Sequence, residues 1–433
     1  MKRLFLSIAL LGTFVFQADA QKISGTWHGE MQLNSLKLNL VLHLDGDSIC
    51  TIDSPDQGAK GIAGTVKELT AEKVDVQFPM LLAAYTAELK EGKLVGTFKQ
   101  RGFTVPLTLE PGDLVRERPQ TPKPPFPYET HEVKIAVPSP GETEKGYTLA
   151  GTLTLPPSHG EGTGADLCLL MVTGSGLQDR DETLFDHKPF AVIADYLARH
   201  GIATLRYDDR GFGQSTGDPT NCTTADFAKD AAACIAFLRS TPLLKGGDGG
   251  RLKVGILGHS EGGSIAFMLG AQQLVDCIVA LAAPGIKGDT LLVEQTNALL
   301  RLNGQPSNMT LQRLRLTMAM QPTNLWYEYF VEYDPSADIA ATRCPVLALN
   351  GSLDCQVLPK SNLSAIRSLL RLSEWSATSP YGGETEGGFY KEYPGLNHLF
   401  QHAQTGAATE YGNIEETISE EVLRDIVTWL RSL

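Results

Sequence analysis

The sequence predicts an α/β protein, a mostly parallel sheet with helices on both faces, preceded by a small all-β domain. Three observations carry this reading. In "LKLNLVLHLDGDS", Leu36, Leu38, Leu40, Leu42 and Leu44 fall on one face, the period-2 pattern of a half-buried strand. Beyond His131, continuous apolar runs of strand length alternate with helical periods, the mark of a sheet buried on both faces. From about Ile286 to Ala340 that rhythm stops and only helical patterns remain.

Each segment follows from its residues. The chain has 433 residues, more than one ordinary core accommodates, so at least two domains are expected. Lys2 and Arg3 precede the apolar run Leu4 to Phe16, and Ala18-Asp19-Ala20 follows it. This is the pattern of a cleaved export signal over residues 1–20, with Gln21 as the mature start. The run is too short to span a bilayer, and no later stretch is long and apolar enough to do so. A periplasmic or extracellular protein is therefore expected.

Residues 21–115 read as a small barrel, meander or sandwich. "KVDVQF", "AYTAEL", "KLVGTF" and "FTVPLTLEP" alternate as the first strand does, with "KEGK" as a turn between two of them. "SGTWHGEM" at the start resembles the opening strand of lipocalin-like β-domains. Residues 116–130, within "RERPQTPKPPFPYET", read as a stiff proline-rich linker rather than packed structure. Residues 131–433 form the α/β part. Its strands are "DLCLLMVTG", "IATLRYD", "LKVGILG", "CIVALAAPG" and "PVLALNG", with helices such as "FAVIADYLARHG" between them. It ends in a helix marked by Ile418, Val422, Ile426 and Leu430. The helical stretch 286–340 is an insertion of the kind that caps a pocket, and Leu291, Leu292, Leu299, Leu300 and Met318 are candidates for its wall.

Composition narrows the function. A formal net charge of -13 argues against a nucleic-acid partner. Seven cysteines (Cys50, Cys168, Cys222, Cys234, Cys277, Cys344, Cys355) contain no CxxC pair, so they give no support to a zinc or redox site. Cys168, Cys277 and Cys344 lie in apolar runs as small buried groups, and one bridge, such as Cys222 to Cys234, is left open.

The chemistry centres on "VGILGHSEGGSIAF". Gly258-His259-Ser260-Glu261-Gly262 is G-x-S-x-G between a strand and a helix, a turn that lifts a serine hydroxyl above the sheet edge. Such a serine requires a base, and the base an orienting acid. "CPVLALNGSLDCQV" supplies Asp354 beyond a strand, and "FYKEYPGLNHLFQ" supplies His398 beyond another, in the order Ser, Asp, His. An oxyanion hole needs two N–H groups. Glu261 provides one, and Ser175 in "MVTGSGLQDRDE" is placed for the other. Asp179, Arg180, Asp208 and Arg210 read as loop supports, with the "LRYDDRGFGQSTG" charges pairing to "QDRDE". Asp338 is a rival acid that follows no strand. His402 stands four residues from His398 without a metal-site glutamate between them, and His259 reads as structural.

On "GSGLQDRDE", "LRYDDRGFGQSTG", "GHSEGG", "NGSLDCQV" and "LNHLFQ", residues from about His131 onward resemble the α/β-hydrolase superfamily. They look most like its bacterial esterase branch related to prolyl-oligopeptidase-like catalytic domains. Thr173 stands where that family commonly has histidine, and Leu177 where proline is common. The resemblance implies the α/β-hydrolase fold and a serine hydrolase working through an acyl-enzyme on a small-molecule carboxylic ester. Those steps call for no cofactor and no metal. The same triad cleaves amides, so a peptidase or aminopeptidase is the alternative, and a non-catalytic binding protein a distant one. Oligomeric state is not legible.

Overall fold

The computed structural model describes residues 22–33, 36–46, 49–138, 146–157, 166–244, 251–320, 323–376 and 388–433. The export-signal pattern of residues 1–20 lies outside them. Among the described residues, no helix is long and apolar enough to cross a membrane. The chain divides into two compact units, 1–115 and 116–433.

In the first unit, eight strands pair antiparallel in chain order: β1 (Gly25–Leu33), β2 (Leu36–Asp45), β3 (Ile49–Ser54), β4 (Ala59–Leu69), β5 (Lys73–Phe78), β6 (Ala83–Lys90), β7 (Lys93–Gln100) and β8 (Phe103–Pro111). Pairing of Trp27 with Pro111 and His28 with Glu110 closes them into a barrel, which decides among the three β architectures the alternation allowed. Leu38, Leu40, Leu42 and Leu44 are buried with Val74, Val76 and Phe78; the side chain of Leu36 is outside the described set. Each such leucine contributes roughly 1.5–3 kcal/mol on full burial. Glu91 and Gly92 both adopt positive φ, the two-residue turn that matches strand twist, and so join β6 to β7. Tyr85 is buried in the barrel, and its hydroxyl donates to the Leu94 and Leu107 carbonyls.

The second unit is built on a nine-stranded sheet among the described residues. Its strands are β9 (Glu129–Val137), β10 (Tyr147–Leu155), β11 (Leu167–Val172), β12 (Ala203–Tyr207), β13 (Lys253–His259), β14 (Cys277–Leu281), β15 (Val346–Gly351), β16 (Ser373–Glu374) and β17 (Gly388–Tyr393). Their order is β16-β17-β15-β14-β13-β11-β12-β10-β9. All pairs are parallel except β9 with β10 and β10 with β12.

Continuous apolar strands are explained by cores on both faces. On β11, Cys168, Leu170 and Val172 face one core, while Leu169 and Met171 face the other. The first core is covered by α2 (Thr224–Ser240) and α3 (Glu261–Ala271), preceded in the chain by α1 (Pro189–Arg199). The second is covered by α1 and the C-terminal helix, whose Val422, Ile426 and Leu430 are buried.

Between β14 and β15 lie α4 (Gly288–Leu302), α5 (Leu311–Met320), α6 (Leu325–Glu332) and α7 (Ser336–Ala341), the strand-free insertion. After β15 come α8 (Asn362–Leu370), α9 (Ala408–Tyr411) and α10 (Glu420–Leu430).

Two readings are corrected. The proline-rich segment is not a free spacer. Arg118 donates to the carbonyls of Phe185, Gly412 and Ile414, and Gln120 bonds the main chain at Thr417 and Ile418. Proline enforces extension, but the side chains between the prolines bind it to the sheet unit. All seven cysteines are free, so Cys222 and Cys234 form no bridge, and Cys344 is only half-buried.

Candidate active site

The site begins at the end of β13. Ser260 has φ 54° and ψ −120°, a strained conformation that non-glycine residues rarely adopt. The turn is held by close packing: a Cβ on Gly258 would lie 2.1 Å from the Gly262 carbonyl oxygen, and one on Gly262 2.1 Å from that of Val172. Only hydrogen fits at either position. Ser260 is partly exposed between buried His259 and buried Glu261. Glu261 is the first residue of α3, so its N–H belongs to the unpaired first turn that carries the positive end of the helix dipole.

The loop after β11 lies directly over this turn. A Cβ on Gly174 would come within 3.2 Å of Ser260 Cβ, and Ser175 shares a cavity of about 380 Å³ with Ser260. Ser175 thus shares the cavity with Ser260, and Glu261 follows it in the chain.

Asp354 and His398 are brought together from the ends of neighbouring strands. His398 Nδ1 is 2.8 Å from Asp354 Oδ2, and Asp354 Oδ1 accepts the Gln356 and Val357 amides at 2.8 and 2.9 Å. The carboxylate therefore claims Nδ1–H and leaves Nε2 as the basic nitrogen. Asn397 frames the base: its Oδ1 accepts the Leu399 and Gln401 amides. His398 lines the same cavity as Ser260, although their side chains are not hydrogen-bonded to each other; such bonds are commonly long in unliganded sites.

Part of the cavity wall comes from the insertion. Leu291, Leu292, Trp326 and Phe330 line it, while Leu299, Leu300 and Met318 do not. The amphipathic pattern of α4 places a leucine face inward but not the segment of that face that meets the cavity. Trp326 was not singled out from the sequence. Its Nε1–H donates to Glu261 Oε1 at 2.8 Å and its ring stacks on Phe330, so the residue after Ser260 also anchors the cap.

Supporting residues divide differently from expectation. Arg180 forks onto Asp208 through Nε and Nη2 at 3.0 and 2.8 Å. Burial works against the Asp208 carboxylate, but Arg180 and two amides outweigh it and hold its pKa below the usual aspartate value. Asp179 caps its own loop through the Asp181 and Thr183 amides. Arg210 pairs with Asp230 on α2 instead of with the loop of residues 178–182, because α2 presents a buried carboxylate within its reach.

His402 is exposed and bonded to Glu416, and Asp338 accepts from Tyr333 within the insertion. His187, buried against Thr417 and the Tyr411 carbonyl, is driven down to a pKa of about 4 by burial. Among the described residues, no group of three His, Cys, Asp or Glu side chains is arranged to hold a metal ion.

Glu182 is the residue sequence reasoning missed. It is buried, its Oε1 accepts the Gly174 amide at 2.9 Å, and it contacts His259 Nδ1 at 2.8 Å. It closes the "GSGLQDRDE" stretch, which does not reveal its pairing with His259.

The chain is similar to several known proteins. A family model described as serine aminopeptidase, S33, matches residues 187–350, which include Ser260 and stop short of Asp354 and His398. The esterase EstD of Thermotoga maritima is 28% identical over 225 residues, covering 49% of this chain and 51% of that protein. The chain thus spans about half the length of the curated relative it matches. Among solved structures, an esterase from Pyrococcus furiosus aligns with TM-score 0.43 and 15% identity over 74% of this chain and 98% of its own. A dienelactone hydrolase from Anabaena variabilis aligns with TM-score 0.40 and 18% identity over 71% and 99%.

Proposed function

We propose that this chain is an α/β-hydrolase that cleaves small carboxylic esters through an acyl-enzyme formed on Ser260. The observation that carries the reading is the buried Asp354–His398 bond facing the same cavity as a serine held at positive φ.

In this reading His398 Nε2 takes the Ser260 proton as Oγ attacks the ester carbonyl, and Asp354 stabilises the imidazolium that results. The N–H groups of Ser175 and Glu261 receive the tetrahedral oxyanion. Collapse expels the alcohol, protonated by His398. Water activated by the same base then releases the acid.

A specific observation favours an ester over an aminopeptide. An aminopeptidase must neutralise a substrate ammonium, and Glu182 is the one carboxylate among the described lining residues. It is already occupied by the Gly174 amide and His259. Apart from Ser175, Ser260, His259, His398 and Tyr411, the remaining lining is apolar or carries the neutral side chains of Gln178, Gln295 and Gln356.

The test is turnover of p-nitrophenyl esters beside aminoacyl anilides. Ser260→Ala should lower kcat by a factor on the order of 10⁴ to 10⁶, and His398→Ala nearly as much, with little added in the double variant. Retention of more than a few per cent of activity by Ser260→Ala would overturn the assignment. Export is part of the proposal, resting on Lys2, Arg3 and the apolar run before Ala20; N-terminal sequencing of secreted material should begin at Gln21.

A further inference from the structure

We propose that Glu182 and His259 are a carboxylate–imidazolium pair buried beneath the site, and that this pair positions the oxyanion loop and the base loop together. The inference rests on the ester-hydrolase reading above and assigns two positioning residues to it.

Donor and acceptor bookkeeping carries the argument. His259 Nε2 lies 3.0 Å from the main-chain carbonyl oxygen of His398. A carbonyl has no hydrogen to give, so Nε2 must carry one. His259 Nδ1 lies 2.8 Å from Glu182 Oε1, and that oxygen already accepts the Gly174 amide at 2.9 Å. In the proposed pair Glu182 is ionised, so Oε1 keeps a lone pair beside the one that accepts the amide, and Nδ1 donates to it as well. A ring that donates from both nitrogens is an imidazolium. A neutral ring has one N–H, which could serve either Glu182 or the His398 carbonyl but not both.

Burial fits this assignment. Glu182 and His259 are 1% and 5% exposed, and an isolated charge there would be costly, whereas a bonded pair of opposite charges is tolerated. Burial alone would lower the His259 pKa. The Glu182 charge, the hydrogen bond to it and the His398 carbonyl outweigh burial, with Asp354 adding to them, and the balance lies above the usual histidine value.

The titratable groups facing the His259 ring are Glu182, Asp354 and the neighbouring His398 ring, whose centroid is 4.7 Å away. Because the pair is neutral overall, it need not oppose the charge His398 gains during turnover.

The consequence is mechanical. One hydrogen-bonded path runs from Gly174, beside the oxyanion donor Ser175, through Glu182 and His259 to the backbone of His398. His259 is also the residue before Ser260. The three chain segments that must meet at the ester carbonyl are fixed to one another by a single proton-rich pair.

The test uses the full chain with ¹⁵N-labelled histidine. Ring ¹⁵N spectra should show one histidine with both nitrogens protonated at pH 8, and that signal should vanish in His259→Gln. Glu182→Gln keeps an acceptor for the Gly174 amide but removes the charge. It should lower kcat about 10- to 100-fold with KM within about threefold, slow fluorophosphonate labelling of Ser260 in parallel, and move the alkaline limb of the pH profile down.

Glu182→Asp, which restores the charge, should recover part of the loss. A singly protonated His259 ring in the unaltered protein at pH 8, or Glu182→Gln within twofold of it, would overturn the proposal. Failure of the ester-hydrolase reading looks different: Ser260→Ala would stay active while the doubly protonated ring persisted.

Discussion

His398 Nδ1 and Asp354 Oδ2 meet at 2.8 Å in a buried site, although 44 residues separate them in the chain. The other carboxylate oxygen is fully used by the Gln356 and Val357 amides, so Asp354 cannot rotate away without stranding two N–H groups. Its orientation is therefore determined before substrate arrives.

Asp354→Asn should consequently act on chemistry more than on folding. The amide presents a donor to Nδ1, selects the wrong imidazole tautomer and should lower kcat by about 10⁴. Asp338→Asn should stay within a few fold, since the Asp338 carboxylate accepts from Tyr333 within the insertion. Parallel kinetics on one nitrophenyl ester check the ranking, and the reverse order would move the acid into the insertion.

Trp326 should control acyl size. Its ring is a wall of the cavity and is pinned by Glu261 and stacked on Phe330. Trp326→Ala should raise the hexanoate-to-acetate ratio of kcat/KM by about fivefold or more, ~1 kcal/mol of discrimination. An unchanged ratio would place the acyl group elsewhere in the cavity.

Asp209 supplies a pH-dependent test. Burial pushes its carboxyl up to about 8, against the pull of the Gln178 amide and the Thr173 hydroxyl. A carboxyl whose folded pKa lies above its unfolded value near 3.8 holds its proton more tightly in the folded state. Its contribution to stability is therefore full at low pH and is lost as the pH rises through the range from about 4 to 8. Asp209→Asn mimics the protonated form without titrating. Thermal melts should show the variant gaining on the unaltered protein as pH rises from 4 to 8; a constant difference would mean that Asp209 is ionised throughout.

What the sequence made legible follows from how local each signal is. Ser260, Asp354 and His398 each sit on a short strand-and-turn pattern, and the glycines around Ser260 announce a turn that only hydrogen at Cα permits. Glu182 and His259 lie 77 residues apart, in two different motifs that assign neither a partner, so their pairing emerges only when β11 and β13 align. The β1–β8 closure of the barrel is likewise a long-range pairing that alternation cannot specify. Leu292, which meets the cavity, and Leu299, which is 37% exposed, stand seven residues apart on one face of α4. Helical period gives that face but not which part of its length reaches the cavity.

The place where the chain can be shortened follows from Arg118 and Gln120. A chain beginning at Thr130 deletes the bonds from Arg118 to the Phe185, Gly412 and Ile414 carbonyls and those from Gln120 to Thr417 and Ile418. Tyr128, whose hydroxyl donates to Asp195, is lost too. Phe185 and Tyr411, in edge-to-face contact at 5.6 Å, both line the cavity, so the deleted segment braces the wall on that side. Each buried partner left unpaired costs about 1–3 kcal/mol where water cannot replace the bond. A chain beginning at Arg116 retains all of these contacts and removes only the barrel unit. On a small nitrophenyl ester it should keep kcat/KM within about tenfold of the full chain, ~1.4 kcal/mol of transition-state stabilisation. The chain beginning at Thr130 should melt several degrees lower and lose more than tenfold. Equal melting temperatures and equal kcat/KM for the two shortened chains would show that residues 116–129 are the free spacer their prolines suggest.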